Sequence, residues 1–176
     1  MRTFLVLALL VPLSGCGYSL AGRGSFLPAN IKVIAVPLFT NNTNVFELDR
    51  RVTEKVRSEL SGRGKYRVEP TTERPHDAIL SGVISSVTIQ PTAFNAQNLA
   101  TRLVLTMTAS VELRAAGEGG KVFWSNPSLQ FREEYDVKSA VVETDVSAFL
   151  ANDVNALERL ATEFARSVIA AMLEAF

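Results

Sequence analysis

The sequence predicts an α+β fold: an elongated two-layer sandwich, with two helices packed on one face of a mostly antiparallel sheet of about four strands. Three observations carry this expectation. From Arg102 to Arg114 the residues alternate, with Leu103, Leu105, Met107, Ala109, Val111 and Leu113 on one side. Arg102, Thr106, Thr108, Ser110, Glu112 and Arg114 fall on the other, Val104 being the exception. A strand of that kind has one buried and one wet face, as antiparallel sheets do. Secondly, two segments repeat apolar residues every three or four positions, the mark of an amphipathic helix. Thirdly, the later of these, about 28 residues at 1.5 Å each, reaches ~42 Å, and the alternating strand at ~3.3 Å per residue reaches ~43 Å. The helix is therefore expected to lie along the sheet and cover its apolar face.

The first residues, MRTFLVLALLVPLSGC, stand outside this domain. Arg2 supplies a short positive region, and Phe4 to Leu13 are apolar. That run is too short to cross a bilayer, which takes roughly 20 residues. Residues 1–15 therefore read as an export signal that is removed. Leu13-Ser14-Gly15-Cys16 resembles the bacterial lipobox, so Cys16 is the expected lipidation site, the first residue of the mature chain and its anchor to the lipid bilayer. Residues 16–30, rich in Gly, Ser and Pro, read as the acylated N-terminus and a tether. Gly22-Arg23-Gly24 follows no strand and opens no helix, so it is not a phosphate loop. Residues 31–176 make a single domain, long enough to bury a core.

Ile31 to Val36, apolar and β-branched, predict a buried strand closed by Pro37. A turn follows at Thr40–Asn44, and Asn44 with Glu47 suggests a capping box. Val45, Leu48, Val52, Val56 and Leu60 then mark the first helix, which ends at Gly62 or Gly64. Tyr66-Arg67-Val68 suits a short strand. From Asp77 the period is two: Val83, Val87 and Ile89 are expected on one face, Ile84, Ser86, Thr88 and Gln90 on the other, and Pro91 to end the strand. Gly117–Gly120 is a hairpin turn. In the next strand Val122 and Trp124 occupy even positions, whereas Leu129, Phe131 and Tyr135 occupy odd ones, so an interruption is expected at Asn126–Ser128. Ser147 to Glu174, with neither Gly nor Pro, forms the last helix.

Composition excludes several kinds of function. Eighteen basic and eighteen acidic side chains leave no field to attract nucleic acid, so no nucleic-acid partner is expected. Cys16 is the only cysteine and His76 the only histidine. No disulfide can form within the chain, and a zinc site of His and Cys ligands is impossible. No metal and no cofactor is expected. His76, between Pro75 and Asp77, reads as a solvated loop residue. Glu133 and Glu134 are adjacent, so on a strand they face opposite ways and cannot work as an acid–base pair. Neither Ser14 nor Ser61 has a plausible base. Catalysis is therefore not expected.

Cys16-Gly17-Tyr18-Ser19-Leu20 after the lipobox, IKVIAVPLFTN, the helix with Val52-Thr53 and Leu60, and Leu80-Ser81-Gly82-Val83-Ile84 together resemble the lipopolysaccharide-assembly lipoprotein family LptE. The likeness continues through Val122-Phe123-Trp124, Glu134-Tyr135 and the closing helix. It implies a lipoprotein held by Cys16 on the periplasmic face of the outer membrane. There it would plug LptD, the β-barrel that inserts lipopolysaccharide into the outer leaflet. It further implies lipopolysaccharide binding by basic residues at the sheet ends. One such position falls at Asn95, after Phe94, where this chain has no cation; Arg102 stands nearby, and Lys138 is the second candidate. Gly17 after the cysteine agrees with outer-membrane sorting. The residues leave two other non-catalytic readings open: a chaperone for another outer-membrane barrel or secretin, and a lipid carrier that works without a barrel.

Overall fold

The computed structural model describes residues 27, 28, 30–63, 65–141 and 146–175, and only the backbone of 137–141, 151, 152 and 154. β1 (Val33–Ala35) and β2 (Thr40–Asn41) lead into α1 (Leu48–Gly62). After the short β3 (Arg67–Glu69) come three long strands, β4 (Ala78–Phe94), β5 (Ala100–Ala115) and β6 (Val122–Val141). α2 (Val146–Asn152) and α3 (Val154–Glu174) follow. The α+β expectation holds, with more strands than about four: among the described residues the sheet has six, in the order β3-β1-β4-β5-β6, and β2 lies beside β4. The long strands are antiparallel and the short ones parallel. Two- and three-residue strands carry too little periodicity to be read from sequence.

One apolar cluster lies between the sheet and the helices. Leu103, Leu105, Met107, Ala109, Val111 and Leu113 of β5 are all buried, as their alternation requires. They meet Leu48, Val52, Val56 and Leu60 of α1 and Leu157, Leu160, Phe164, Val168 and Met172 of α3. Leu27 is also in this cluster. Arg57 ties the layers together: its guanidinium donates to the carbonyls of Val36 at 2.8 Å and Pro70 at 3.1 Å. Thr53, fully buried on α1, accepts from Phe39 N at 3.0 Å and donates to the Asp49 carbonyl at 2.6 Å, so no polar group there is stranded. At the start of β1, Asp77 accepts from the amides of Lys32 and Val33 at 2.8 and 2.9 Å. These two backbone donors hold its carboxyl below the usual range.

Four local readings need correction. In β4, Ile84 is buried with Ala78 and Leu80, not turned to the wet face. Ile84 pairs with Ala109 and Ser86 with Thr108, so Ser85 is an extra residue, a bulge that shifts the inward set from even to odd positions. Pro91 does not end the strand, which runs to Phe94. At that level β4 pairs only with β5, since β1 and β2 reach no further than Ile84, and a missing N–H is tolerated beside an open edge. The first helix starts at Leu48, without the Asn44–Glu47 capping box: Glu47 has φ 58° and makes no side-chain cap. The last helix is split at Asp153, whose carboxylate accepts from Ala156 N at 3.0 Å and caps α3. The 21 residues of α3 span ~32 Å, short of the ~50 Å that the 16 of β5 can reach, so α2 covers part of the remainder.

The expected interruption in β6 is present as a second bulge. Ala109 pairs with Leu129 but Val111 with Asn126, so the strand stays continuous while its inward parity changes around Pro127. Gly117 and Gly119 take φ of 97° and 69° in the hairpin, conformations that favour glycine.

Candidate functional site

Among the described residues, the helices cover one side of the three long strands and none covers the other. Ser86, Thr88 and Gln90 of β4, Thr106, Thr108 and Ser110 of β5, and Gln130, Arg132 and Glu134 of β6 line this open side. Thr88, Gln90, Gln130, Arg132 and Glu134 are exposed, and the central threonines are half-buried by neighbouring strands. At the Pro127 bulge the face dips into a hollow of about 290 Å³ bordered by Ser81, Ser110, Glu112 and Ser125. Val83 and Val104, both half-buried, share this side, but its many hydroxyl and amide groups can form hydrogen bonds.

Apart from Arg132 at the middle of β6, its charges sit toward the ends. Arg114 pairs with Glu112 at one end. At the other, Arg102 Nε donates to Asp136 Oδ1 at 2.9 Å, and Glu134 Oε2 lies 3.9 Å from its Nη1. The hydrogen bond it donates to Asp136, and the negative charges of Asp136 and Glu134, raise the guanidinium pKa. The sequence singles out Arg102, and the register supplies its partner, because Arg102 faces Asp136 across β5 and β6. Lys138 follows two residues later, where the register slips between the Arg102–Asp136 and Ala100–Val141 pairs. Arg102 and Lys138 thus belong to the same end of the sheet; the Lys138 side chain lies outside the described residues. Cys16 also lies outside them.

Asn95 shapes the β4–β5 hairpin: its Oδ1 accepts from Gln97 N at 3.0 Å and Leu99 N at 2.9 Å. His76 Nδ1 lies 2.7 Å from the Arg74 carbonyl on an exposed loop. Glu133 and Glu134 do face opposite ways: Glu133 pairs with Arg159 of α3 at 2.8 Å, Glu134 with Arg102. On the helix side, Arg159 also stacks 4.7 Å over the Tyr135 ring. Tyr135 donates to the Ala156 carbonyl at 3.0 Å, and burial pushes its hydroxyl up to about 12. Among the described residues no group of His, Cys, Asp and Glu could hold a metal, and no helix is long and apolar enough to cross a membrane.

Phe46 carries no signal in the sequence, where it falls between the turn and the helix stripe. In the structure it is 85% exposed beside Leu38, itself 56% exposed.

A family model described as "LptE: Lipopolysaccharide-assembly" matches residues 31–172. No curated protein matches the sequence. Among solved structures, a PelC dodecamer from Paraburkholderia phytofirmans shares 16% identity, covering 85% of this chain and 92% of that one, with a TM-score of 0.51. The hypothetical protein CT253 from Chlamydia trachomatis shares 9%, covering 80% and 94%, also at 0.51. The rare lipoprotein B from Shewanella oneidensis shares 11%, covering 78% and 92%, at 0.44. At these identities the first two likenesses show a common fold and nothing further.

Proposed function

Because the chain belongs to the LptE family of lipopolysaccharide-assembly proteins, we propose that it is a non-catalytic outer-membrane lipoprotein that sits inside the β-barrel LptD and helps assemble it. The observation that supports this reading is the open sheet face, largely polar across β4, β5 and β6 apart from Val83 and Val104, and free of any described helix. Interiors of large outer-membrane barrels are polar, so a plug needs hydrophilic outer walls and must cover its own apolar side. α1 and α3 do the covering here. In this reading acyl chains on Cys16 hold the protein to the periplasmic leaflet, each buried methylene contributing ~0.8 kcal/mol.

Lipopolysaccharide is the proposed ligand at the Arg102 end. A lipid phosphate accepts charge-assisted hydrogen bonds from Arg and Lys. The Arg102–Asp136 pair is exposed, and exposed ion pairs are weak, so a phosphate can displace the carboxylate.

Capture of the full-length lipidated chain from detergent-solubilised outer membranes tests the proposal: the co-purifying barrel should be the lipopolysaccharide inserter. Recovery of a secretin in its place would refute it. Cys16→Ala should move the protein to an uncleaved precursor or the soluble periplasmic fraction; retention in the outer membrane would remove the anchor from the account. Arg102→Asp with Lys138→Asp should weaken lipopolysaccharide binding by about tenfold or more, the effect of losing ~1.4 kcal/mol, with an unchanged melting temperature. Unaltered binding would exclude both residues.

A further inference from the structure

The two ends of the long strands differ in what is fastened to them. Ile34 pairs with Ala78 and Ala78 with Ala115, so β1 and β4 start, and β5 turns toward β6, at one end. Asp77 secures that end: its carboxylate accepts from the amides of Lys32 and Val33, and its carbonyl from Ala116 N at 2.9 Å. The chain also enters the domain here. Ile31 N donates to the Pro28 carbonyl at 2.9 Å, and Leu27 is buried in the core. The opposite end is the β4–β5 hairpin. No residue from Pro91 to Thr101 is charged, and Phe94 is 54% exposed. Asn95 fixes the turn through the amides of Gln97 and Leu99, so the tip has a defined shape of its own.

Length decides how such a body fits inside a barrel. The 17 residues of β4 run about 50 Å at ~3.3 Å each. Strands ~4.8 Å apart and tilted by ~40° give even a barrel of about 26 strands, the top of the ordinary range, a backbone diameter of roughly 52 Å. Inward side chains reaching ~5 Å from each wall leave a clear width of roughly 42 Å. β4 is too long to lie across such a pore. The five neighbouring strands measure only about 24 Å from side to side, so the sheet enters lengthwise. The tether then selects one of the two ways up. From Cys16 to Leu27 the chain reaches at most ~40 Å when fully extended. A bilayer with its headgroups is ~40–45 Å thick. With the hairpin pointing into the periplasm, Leu27 would stand at the outer mouth, and the tether could not return to the periplasmic leaflet and round the barrel rim. With Leu27 at the periplasmic mouth the tether is long enough, and the hairpin lies about 50 Å further on, beyond the outer headgroups.

We propose that the β4–β5 hairpin is the outward tip of the plug, held at the outer mouth of the barrel partner and open to the cell exterior. This rests on the plug reading, with acyl chains on Cys16, and adds which way the protein stands. An uncharged tip suits the position, since phosphates of the surrounding leaflet neither repel nor hold it.

Cys16 is the only cysteine and is consumed by acylation in this reading, so an introduced cysteine is the single free thiol. The test places one in the full-length lipidated chain in cells: Gln97→Cys at the hairpin, or Glu118→Cys at the opposite turn, both exposed positions. A polyethylene-glycol maleimide too large for porins is added to intact and to permeabilised cells, and the barrel is captured with each variant. In intact cells Gln97→Cys should be labelled at least about tenfold more than Glu118→Cys, and after permeabilisation both should be labelled. Ala96→Cys, on the same turn, should repeat the Gln97→Cys result. Labelling of Glu118→Cys alone in intact cells, equal labelling of the two ends, or hairpin thiols that stay unlabelled there would each overturn the orientation. If the unaltered chain recovers no barrel, the plug reading fails and the orientation with it. If it recovers the barrel while the hairpin thiols stay unlabelled in intact cells, the orientation alone fails.

Discussion

Replacing Phe164 with alanine is expected to destabilise the fold by about 3–5 kcal/mol. The ring lies midway along α3, is 0% exposed, and belongs to the cluster shared by α1 and β5. Truncation removes the transfer free energy of most of a benzyl group. It also leaves a cavity that a helix held by Leu160, Val168 and the sheet cannot readily collapse. Domains of this size have only about 5–15 kcal/mol in total, so the variant should unfold at a much lower denaturant concentration with an unchanged slope. A loss below about 1 kcal/mol would mean that α3 does not pack on the sheet as described.

The second large effect is an overpacking one. Gly82 is on β4, and a Cβ built there would lie 2.9 Å from Phe39 Cζ and nearer still to two other atoms of the same ring. Phe39 is 2% exposed and its amide is bound to Thr53, so neither ring nor backbone can retreat easily. Gly82→Ala should therefore cost about 1–3 kcal/mol, although alanine suits a strand better than glycine does. The double-mutant cycle identifies the cause. In a Phe39→Ala background the added methyl has room, so Gly82→Ala should cost little or stabilise, a coupling of about 1–3 kcal/mol. Equal costs in the two backgrounds would place the strain elsewhere.

These contacts mark what the sequence does and does not reveal. The alternation on β5 is legible because every second residue is inward without interruption. On β4 the same logic misplaces Ile84, since one bulged residue, Ser85, reverses parity and nothing in the residue types announces it. On β6 the parallel event is readable because Pro127 marks it. The break at Asp153 has a visible signal, two cap-forming residues in Asn152-Asp153, but the apolar spacing runs across them unbroken. Partners within the polar face are less legible still. Arg102 meets Asp136 thirty-four residues away, a pairing that depends on every register shift between them. Phe46 looks ordinary because exposure depends on the conformation of Glu47, which sequence pattern alone does not disclose.

β6 ends the sheet, and no described strand pairs with its outer margin. Along this strand the amides and carbonyls not bonded to β5 are open to any extended peptide in reach, the template from which fibrous aggregates grow. Two features discourage such recruitment. The Pro127 kink prevents one uninterrupted ladder, and Arg132, Glu134 and Asp136 flank the regular stretch with charges that an incoming chain would have to match. Both features work against edge-to-edge pairing between copies of the chain.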